Sequence, residues 1–387
     1  MRAALVGSAV AGLLGVAAAA ASWHGSPLRA GGTERTDVPS AVFLTAVLCA
    51  FVLYVVGVVL IRRRGGRVLT VWAIAAVIQL VPLAGPLLLS HDVYAYWDYG
   101  REAAVYDANP YAVPPQRFAS DPAVHAMAPG WRRAGSVYGP VFSAASEGLA
   151  TTGGRSAEAA AFEYRFISAL GMLAVVGLAA FVAPLPAFAA AFAGWNPLLA
   201  VDFAGGGHND VWMMAFVLGG LALAARRPRL AGASWAVAGG LKWVALPLLP
   251  LSLAGTDRRQ ALRIAVGFAA VAAAIAVLAV LLFGTAWLSA LGPFAHRHAA
   301  WAIPSRLASI GVPRWVALLP LVLAMPLLVR ARPRLGLAAA LVLVASPWLL
   351  PWYAVWVVPL AAVEEDRLAW TFALLLSAYL LADRVPI

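Results

Sequence analysis

The chain has 387 residues, 63% hydrophobic and only 12% charged, with a net charge of +11 and a mean hydropathy of +0.84. Soluble domains average roughly 45–50% apolar and about 25% charged residues, so an ordinary soluble domain is excluded and a polytopic membrane protein is indicated. The positive charge lies in short Arg clusters between apolar runs, where it sets orientation; it is not a nucleic-acid footprint. The one cysteine, Cys49, can form no internal disulfide and reads as a small buried hydrophobe.

Residues 3–22 are apolar and end in Ala-rich sequence, as either a first span or a signal peptide. Both readings place residues 23–40 outside. Residues 41–61 span and end in Arg62-Arg63-Arg64-Gly65-Gly66-Arg67, the strongest cytoplasmic marker in the chain. Residues 68–89 cross back, so the segment 90–154 is expected on the extracytoplasmic side. It is weakly apolar and rich in Pro and Gly, and reads as a structured loop with short surface helices, residues 141–152 among them.

Residues 158–183 then cross inward, and 187–204 return through Trp195-Asn196-Pro197 to Gly205-Gly206-Gly207-His208-Asn209-Asp210. Residues 211–225 lead to a basic cluster at 226–229. The apolar stretch 230–254 looks like one span, yet the basic residues at 258–263 prefer the same side as those at 226–229. The conflict disappears if 230–254 is a re-entrant hairpin or two short spans folded near Gly239-Gly240, with Lys242 close to the tip. Residues 264–283 go out, 284–313 form a second outer loop, and 314–329, 335–350, a short span to Glu364 and 368–382 complete the chain. The whole (1–387) reads as one integral membrane domain of about 11–13 transmembrane helices: N-terminal spans 1–89, the catalytic-loop candidate 90–154, and the remaining spans 155–387.

On this topology the polar outliers converge on the outer face. Asp92, Tyr94, Tyr96, Asp98, Arg101, Glu102, Asn109 and Tyr138 come from the first loop, and His208, Asn209 and Asp210 from a span end. Lys242, the only lysine, can reach the same level, and His296, Arg297, His298 and Arg306 lie in the second outer loop. Ionisable groups at such depth are expensive and point to function, although an acid at a helix end can serve only as a cap and an interfacial His or Trp only as an anchor. Transfer from a lipid-phosphate sugar requires a cation for the leaving phosphate and a carboxylate base for the acceptor hydroxyl. Both are present. No GxGxxG, P-loop, HExxH or CxxC motif supports a nucleotide cofactor, an NTPase or zinc.

Asp92-x-Tyr-x-Tyr, Tyr99-Gly100-Arg101 and Asn109-Pro110-Tyr111 resemble the first extracytoplasmic loop of GT-C glycosyltransferases. The closest likeness is to the polyprenyl-phosphate-mannose-dependent α-1,6-mannosyltransferases of actinobacteria, with the GPI mannosyltransferases more distant. Asn196-Pro197 before Gly207-His208-Asn209-Asp210, Tyr138-Gly139-Pro140 and Pro351-Trp352-Tyr353 fit the same family. The resemblance implies a GT-C fold, Asp92 as general base, and an inverting reaction without metal or cofactor. It also implies a polyprenyl-phosphate mannose donor, a glycolipid or lipoglycan acceptor, and a plasma-membrane location with the active site outside. Many relatives carry paired acids at the catalytic position; here the neighbour of Asp92 is His91. Another polyprenyl-phosphate sugar, arabinose or glucose, fits the same residues. A non-catalytic lipid or solute transporter is the reading from a different class.

Overall fold

The computed structural model describes residues 2–29, 37–152, 154, 156–291, 298–328 and 333–386. Its helices are α1 (Arg2–Ser22), α2 (Asp37–Arg64), α3 (Val68–Leu80), α4 (Asp92–Tyr106), α5 (Pro122–Ala126), α6 (Pro140–Ala150), α7 (Ala157–Val182), α8 (Pro186–Gly194), α9 (Pro197–Ala200), α10 (Asp210–Leu223), α11 (Pro228–Leu241), α12 (Leu248–Ser252), α13 (Arg258–Phe283), α14 (Ile303–Ser309), α15 (Leu319–Leu328), α16 (Leu335–Ala345), α17 (Val358–Glu364) and α18 (Arg367–Leu380). Among the described residues there is no strand, only an isolated bridge between Arg29 and Leu88. The all-helical polytopic expectation holds.

The helix starts are written in the sequence. Pro122, Pro140, Pro186, Pro197 and Pro228 each open a helix, where the missing N–H costs nothing. Asp121, Ser156, Asn196, Asp257 and Asp366 cap theirs through side-chain oxygens that accept first-turn amides.

Among the described residues four helices are long and apolar enough to cross a bilayer unaided: α1, α2, α7 and α13. The pair α8 and α9, with the π-turn Val201–Gly205, makes a fifth, bent by 56°. Six further apolar helices are only 10–17 residues long, so length and composition supply four or five crossings, fewer than the 11–13 counted from hydropathy. The difference lies in apolar helices too short to cross unaided, some broken by Pro or at Lys242 and others, such as Asp210–Leu223 and Arg367–Leu380, simply short. The bend at Pro197 shows how a broken helix is tolerated. Pro197 cannot donate to the turn before it, and the carbonyls at the end of α8 find other partners. Tyr54 donates to the Phe192 oxygen at 2.7 Å and Gln79 to the Gly194 oxygen at 3.0 Å. Inside a membrane such compensation is obligatory.

The helices run between two ends. Arg62 meets Glu365 at 3.7 Å, Arg334 meets Asp366 at 2.7 Å, and Gln260 donates to the Ala224 carbonyl at 2.9 Å. The first two contacts bring Arg334 beside the Arg62–Arg67 cluster, and the third brings the cluster at 258–263 beside that at 226–229. Helices α7 and α10 run side by side from the Ser168–His208 contact to these two groups, which therefore lie at the same end. From there α3, α8–α9, α11, α13 and α18 lead to the opposite end, and α7, α10 and α17 lead back. The stretch 230–254 obeys the same rule. It leaves the basic end in α11, breaks at Lys242, and returns through a 3-10 turn and α12 to Asp257. The break falls at Lys242, whose backbone is extended, rather than at the preceding glycine pair. One expectation is corrected: Cys49 is exposed on α2 rather than buried, because it faces away from the helices that cover the opposite side.

The α11–α13 crossing depends on two glycines. A Cβ on Gly232 would overlap the Ile264 carbonyl, and one on Gly267 the Arg229 carbonyl. Small residues at a crossing let membrane helices approach closely. Gly267→Val is therefore expected to cost about 1–3 kcal/mol through overpacking, read as a lower unfolding midpoint of the purified protein in detergent. An unchanged midpoint would contradict so close a crossing.

Candidate active site

Asp92 is the first residue of α4, and its amide donates to Ser90 Oγ at 3.2 Å. An acid in the first turn also meets the positive end of the helix dipole. Against this turn packs the Gly207–Asp210 segment. Gly207 has φ +74°, and a Cβ there would lie 2.5 Å from Val93 Cγ1, so only glycine suits both the backbone and the space. The turn after it presents His208, whose carbonyl accepts from Ser168 Oγ at 3.0 Å and whose Nδ1 lies 3.7 Å from Asp92 Oδ2. The His208 ring stacks on Trp352 with centroids 3.6 Å apart.

Asp210 opens α10 and is fully buried. Its Oδ1 accepts from Lys242 Nζ and from Trp356 Nε1, each at 2.7 Å. Because α11 stops at Lys242, the ammonium comes to rest over the rings of Tyr353 (4.9 Å) and Trp356 (5.7 Å). From the chain after α18, Arg384 lies over Trp352 at 5.5 Å.

These groups surround a cavity of about 230 Å³, whose walls include His91, Asp92, Tyr96, Trp131, Tyr138, Lys242, Trp352, Tyr353 and Arg384. Burial pushes the Asp92 carboxyl above the ordinary Asp value, and the charges of Arg384 and Lys242 pull it back in part. A second, mostly apolar cavity of about 280 Å³ adjoins it, sharing Trp348 and Tyr353 and lined further by Met213, Val244, Leu248 and Val342. Among the described residues no three His, Cys, Asp or Glu side chains are grouped to hold a metal ion.

Of the residues singled out from sequence, Asp92, Tyr96, Tyr138 and Lys242 line the cavity, and His208 and Asp210 hold its walls. Tyr96 is packed edge-on against Tyr138 and Phe142, both at 5.0 Å. Others lie elsewhere. Tyr94 is half-buried beside His91. Arg101 is buried against Asp121, with bonds of 2.8–3.0 Å, and donates to the Gly154 carbonyl at 2.8 Å, which commits its guanidinium to the loop. Asn109 donates to the Phe283 carbonyl at 2.6 Å and accepts from the Tyr111 amide at 3.0 Å, fastening the Asn-Pro-Tyr turn to the end of α13. Asn209 faces away from the cavity. His298 meets Arg314 at 3.1 Å on the surface, and Arg306 lies over Trp301. His296 and Arg297 lie outside the described residues.

Sequence reasoning missed Arg384, and gave Trp352 and Tyr353 only as part of a family-like motif with no place in the site. The available signal was topological: residues 383–386 follow a span that leads to the site end.

Asp98 and Glu102 point away from the cavity and are buried. Burial, then the Asp121 charge, lifts Asp98 to about 7. Burial, then the charges of Asp98 and Asp121, lifts Glu102 to about 10. Burial also pushes Asp121 up, but bonds from Arg101, the Ala123 amide and Tyr106 outweigh it and leave that carboxyl below its ordinary value.

Fold and site together define an integral membrane protein with an aromatic-walled cavity, holding one carboxylate and two cations, at one end of a helical bundle. The profile of the family described as alpha-(1->6)-mannopyranosyltransferase, N-terminal domain, matches residues 1–257, and the chain belongs to that glycosyltransferase family. The alpha-(1->6)-mannopyranosyltransferase A of Corynebacterium glutamicum is 30% identical over 184 residues, covering 44% of this chain and 36% of that protein. The match thus spans well under two thirds of that relative's length. No solved structure gives a significant match. The family match includes Asp92, His208, Asp210 and Lys242, whereas Trp352, Tyr353 and Arg384 lie beyond it.

Two outcomes follow from the loop chemistry. Arg101→Ala leaves Asp121 buried without its partner and is expected to cost about 3–5 kcal/mol, measured by thermal unfolding. Asp98 and Glu102 hold protons more tightly in the folded than in the unfolded chain, so their ionisation erodes stability as pH rises. The window runs from 3.8 to about 7 for Asp98 and from 4.5 to about 10 for Glu102. Asp98→Asn should therefore show a smaller fall in unfolding midpoint between about pH 5 and 8 than the parent chain. An equal fall would show that Asp98 does not titrate in that range.

Proposed function

We propose that the protein is a GT-C glycosyltransferase that moves a mannosyl group from polyprenyl-phosphate mannose to a glycolipid or lipoglycan acceptor at the outer face of the plasma membrane. The observation that carries this reading is one cavity walled by Asp92, Lys242 and Arg384, with an apolar cavity beside it. Asp92 takes the proton of the acceptor hydroxyl. The hydroxyl oxygen attacks the anomeric carbon from the side opposite the phosphate, so that bond breaks with inversion. Polyprenyl phosphate leaves with its charge held by Lys242 and Arg384, and its chain lies along Met213, Val244 and Leu248.

His208 and Trp352 set the height of the carboxylate, and Asp210 anchors Lys242. Tyr96 and Tyr138 offer an aromatic wall to the sugar. The outer-face assignment rests on the basic clusters at the far end of the bundle. Mannose rather than arabinose or glucose rests on the family. The transporter reading is less well supported, because the ionisable groups collect at one end instead of midway between two half-structures.

The test is transfer of labelled mannose from polyprenyl-phosphate mannose by membranes carrying the full chain. Asp92→Asn should fold and lose about 10²–10⁴-fold in rate; parental turnover would remove Asp92 as the base. Lys242→Met and Arg384→Met should each lose roughly 10–100-fold, as expected for a charged contact to phosphate. The ionised form of Asp92 is the active one, so activity should rise with pH along an acid limb centred above the ordinary Asp value. Lys242 lowers that value, so Lys242→Met should move the limb to higher pH. A limb that stays in place would contradict the coupling.

A further inference from the structure

On the far side of the His208–Asp210 turn lies a third cavity, of about 320 Å³, between α6, α7, α10 and α11. Phe142, Leu149, Ile167 and Phe216 make it strongly apolar, and no acidic or basic side chain lines it. Four polar side chains break this surface: Ser168 already donates to the His208 carbonyl, and the hydroxyl of Tyr164 is buried without a partner, as are groups on Asn209 and Trp212. Asn209 is 6% exposed and its Oδ1 has no hydrogen-bond partner; the buried Nε1 of Trp212 has none either. Both residues line the cavity. Buried polar atoms without partners are rare in folded proteins and call for an occupant.

We propose that this cavity is a binding site for a neutral membrane lipid, one carrying both an ester carbonyl and a free hydroxyl, with its hydrocarbon chain along α6 and α7. The chemistry selects the class. Trp212 Nε1 can only donate and so takes a carbonyl oxygen, while Asn209 Oδ1 accepts from a hydroxyl. A phosphate would be buried with no cation to meet it, which is strongly unfavourable. The neighbouring Lys242 and Arg384 serve the other cavity, so the two sites divide lipids by charge. The site also touches the catalytic candidates by their backbone. Asn209 stands between His208 and Asp210, whose side chains face the opposite way, and a lipid that fastens Asn209 fastens the turn that carries both.

The test uses the full chain in nanodiscs of phosphatidylcholine with a diacylglycerol bearing a photoreactive acyl chain, and adducts mapped by peptide mass spectrometry. Saturable labelling on α6, α7 and α10 is expected. Unlabelled diacylglycerol should compete about tenfold or more better than phosphatidic acid of the same chains. Ala145→Trp, which closes the cavity from an exposed position on α6, should abolish the label. Adducts spread evenly over the lipid-facing helices, equal competition by phosphatidic acid, or undiminished labelling of a folded Ala145→Trp variant would each overturn the proposal. The competition arm needs only the parent chain, so it decides the matter even if the variant does not fold.

Discussion

The Lys242–Asp210 ion pair ties together the segments that form the site. Asp210 starts α10, Lys242 follows α11, and Trp356 makes a second contact to the same carboxylate from the turn before α17. A buried pair of this kind gives little net stability, since desolvation offsets attraction. Its effect is positional. Three segments of unrelated sequence position meet at one carboxylate, and the aromatic rings of Tyr353 and Trp356 lie beneath the ammonium. One residue before Asn209, His208 extends the same arrangement to Asp92 and Trp352.

The bundle around this pair is built from interrupted helices. Pro197, the extended backbone at Lys242 and the 3-10 turn Pro351–Trp356 each stop a helix where a continuous one would carry the chain past the site. Each break exposes backbone groups that lipid cannot satisfy. At the Pro197 bend Tyr54 and Gln79 donate to the Phe192 and Gly194 carbonyls, and Asn196 Oδ1 accepts from the Leu198 amide. Polar residues deep in the apolar sequence thus divide into two kinds. Some repair the backbone, as Gln79 does, and others face a cavity, as Asp92 does.

That division was only partly visible in the chain. Asp92, Asp98, Arg101 and Glu102 share one short helix, and composition treats them alike. The Asp92-x-Tyr-x-Tyr pattern singled out Asp92 by resemblance, and it lies in the cavity wall. Arg101 looked equally suited to a phosphate, yet its guanidinium is bound by Asp121, twenty residues further on. No local pattern announces such a pairing. Asn209 gives the same lesson within a single turn: its neighbours face one cavity and it faces another. Arg384 and Trp352 join Asp92 through long-range packing, which periodicity does not encode.

What the sequence determined by itself was the solvent and the chemistry within reach. Its apolar excess demands a membrane, its Arg clusters order the ends of the helices, and its Pro and capping residues mark where helices begin. These are local effects, or effects of summed hydrophobicity, and they need no partner. Which side chains meet was decided only by tertiary structure. A helix broken at Lys242, a left-handed glycine at position 207 and a bend of 56° at Pro197 set the directions in which charges point. In a low-dielectric interior it is direction and distance that determine whether a charge repairs the fold or faces a ligand.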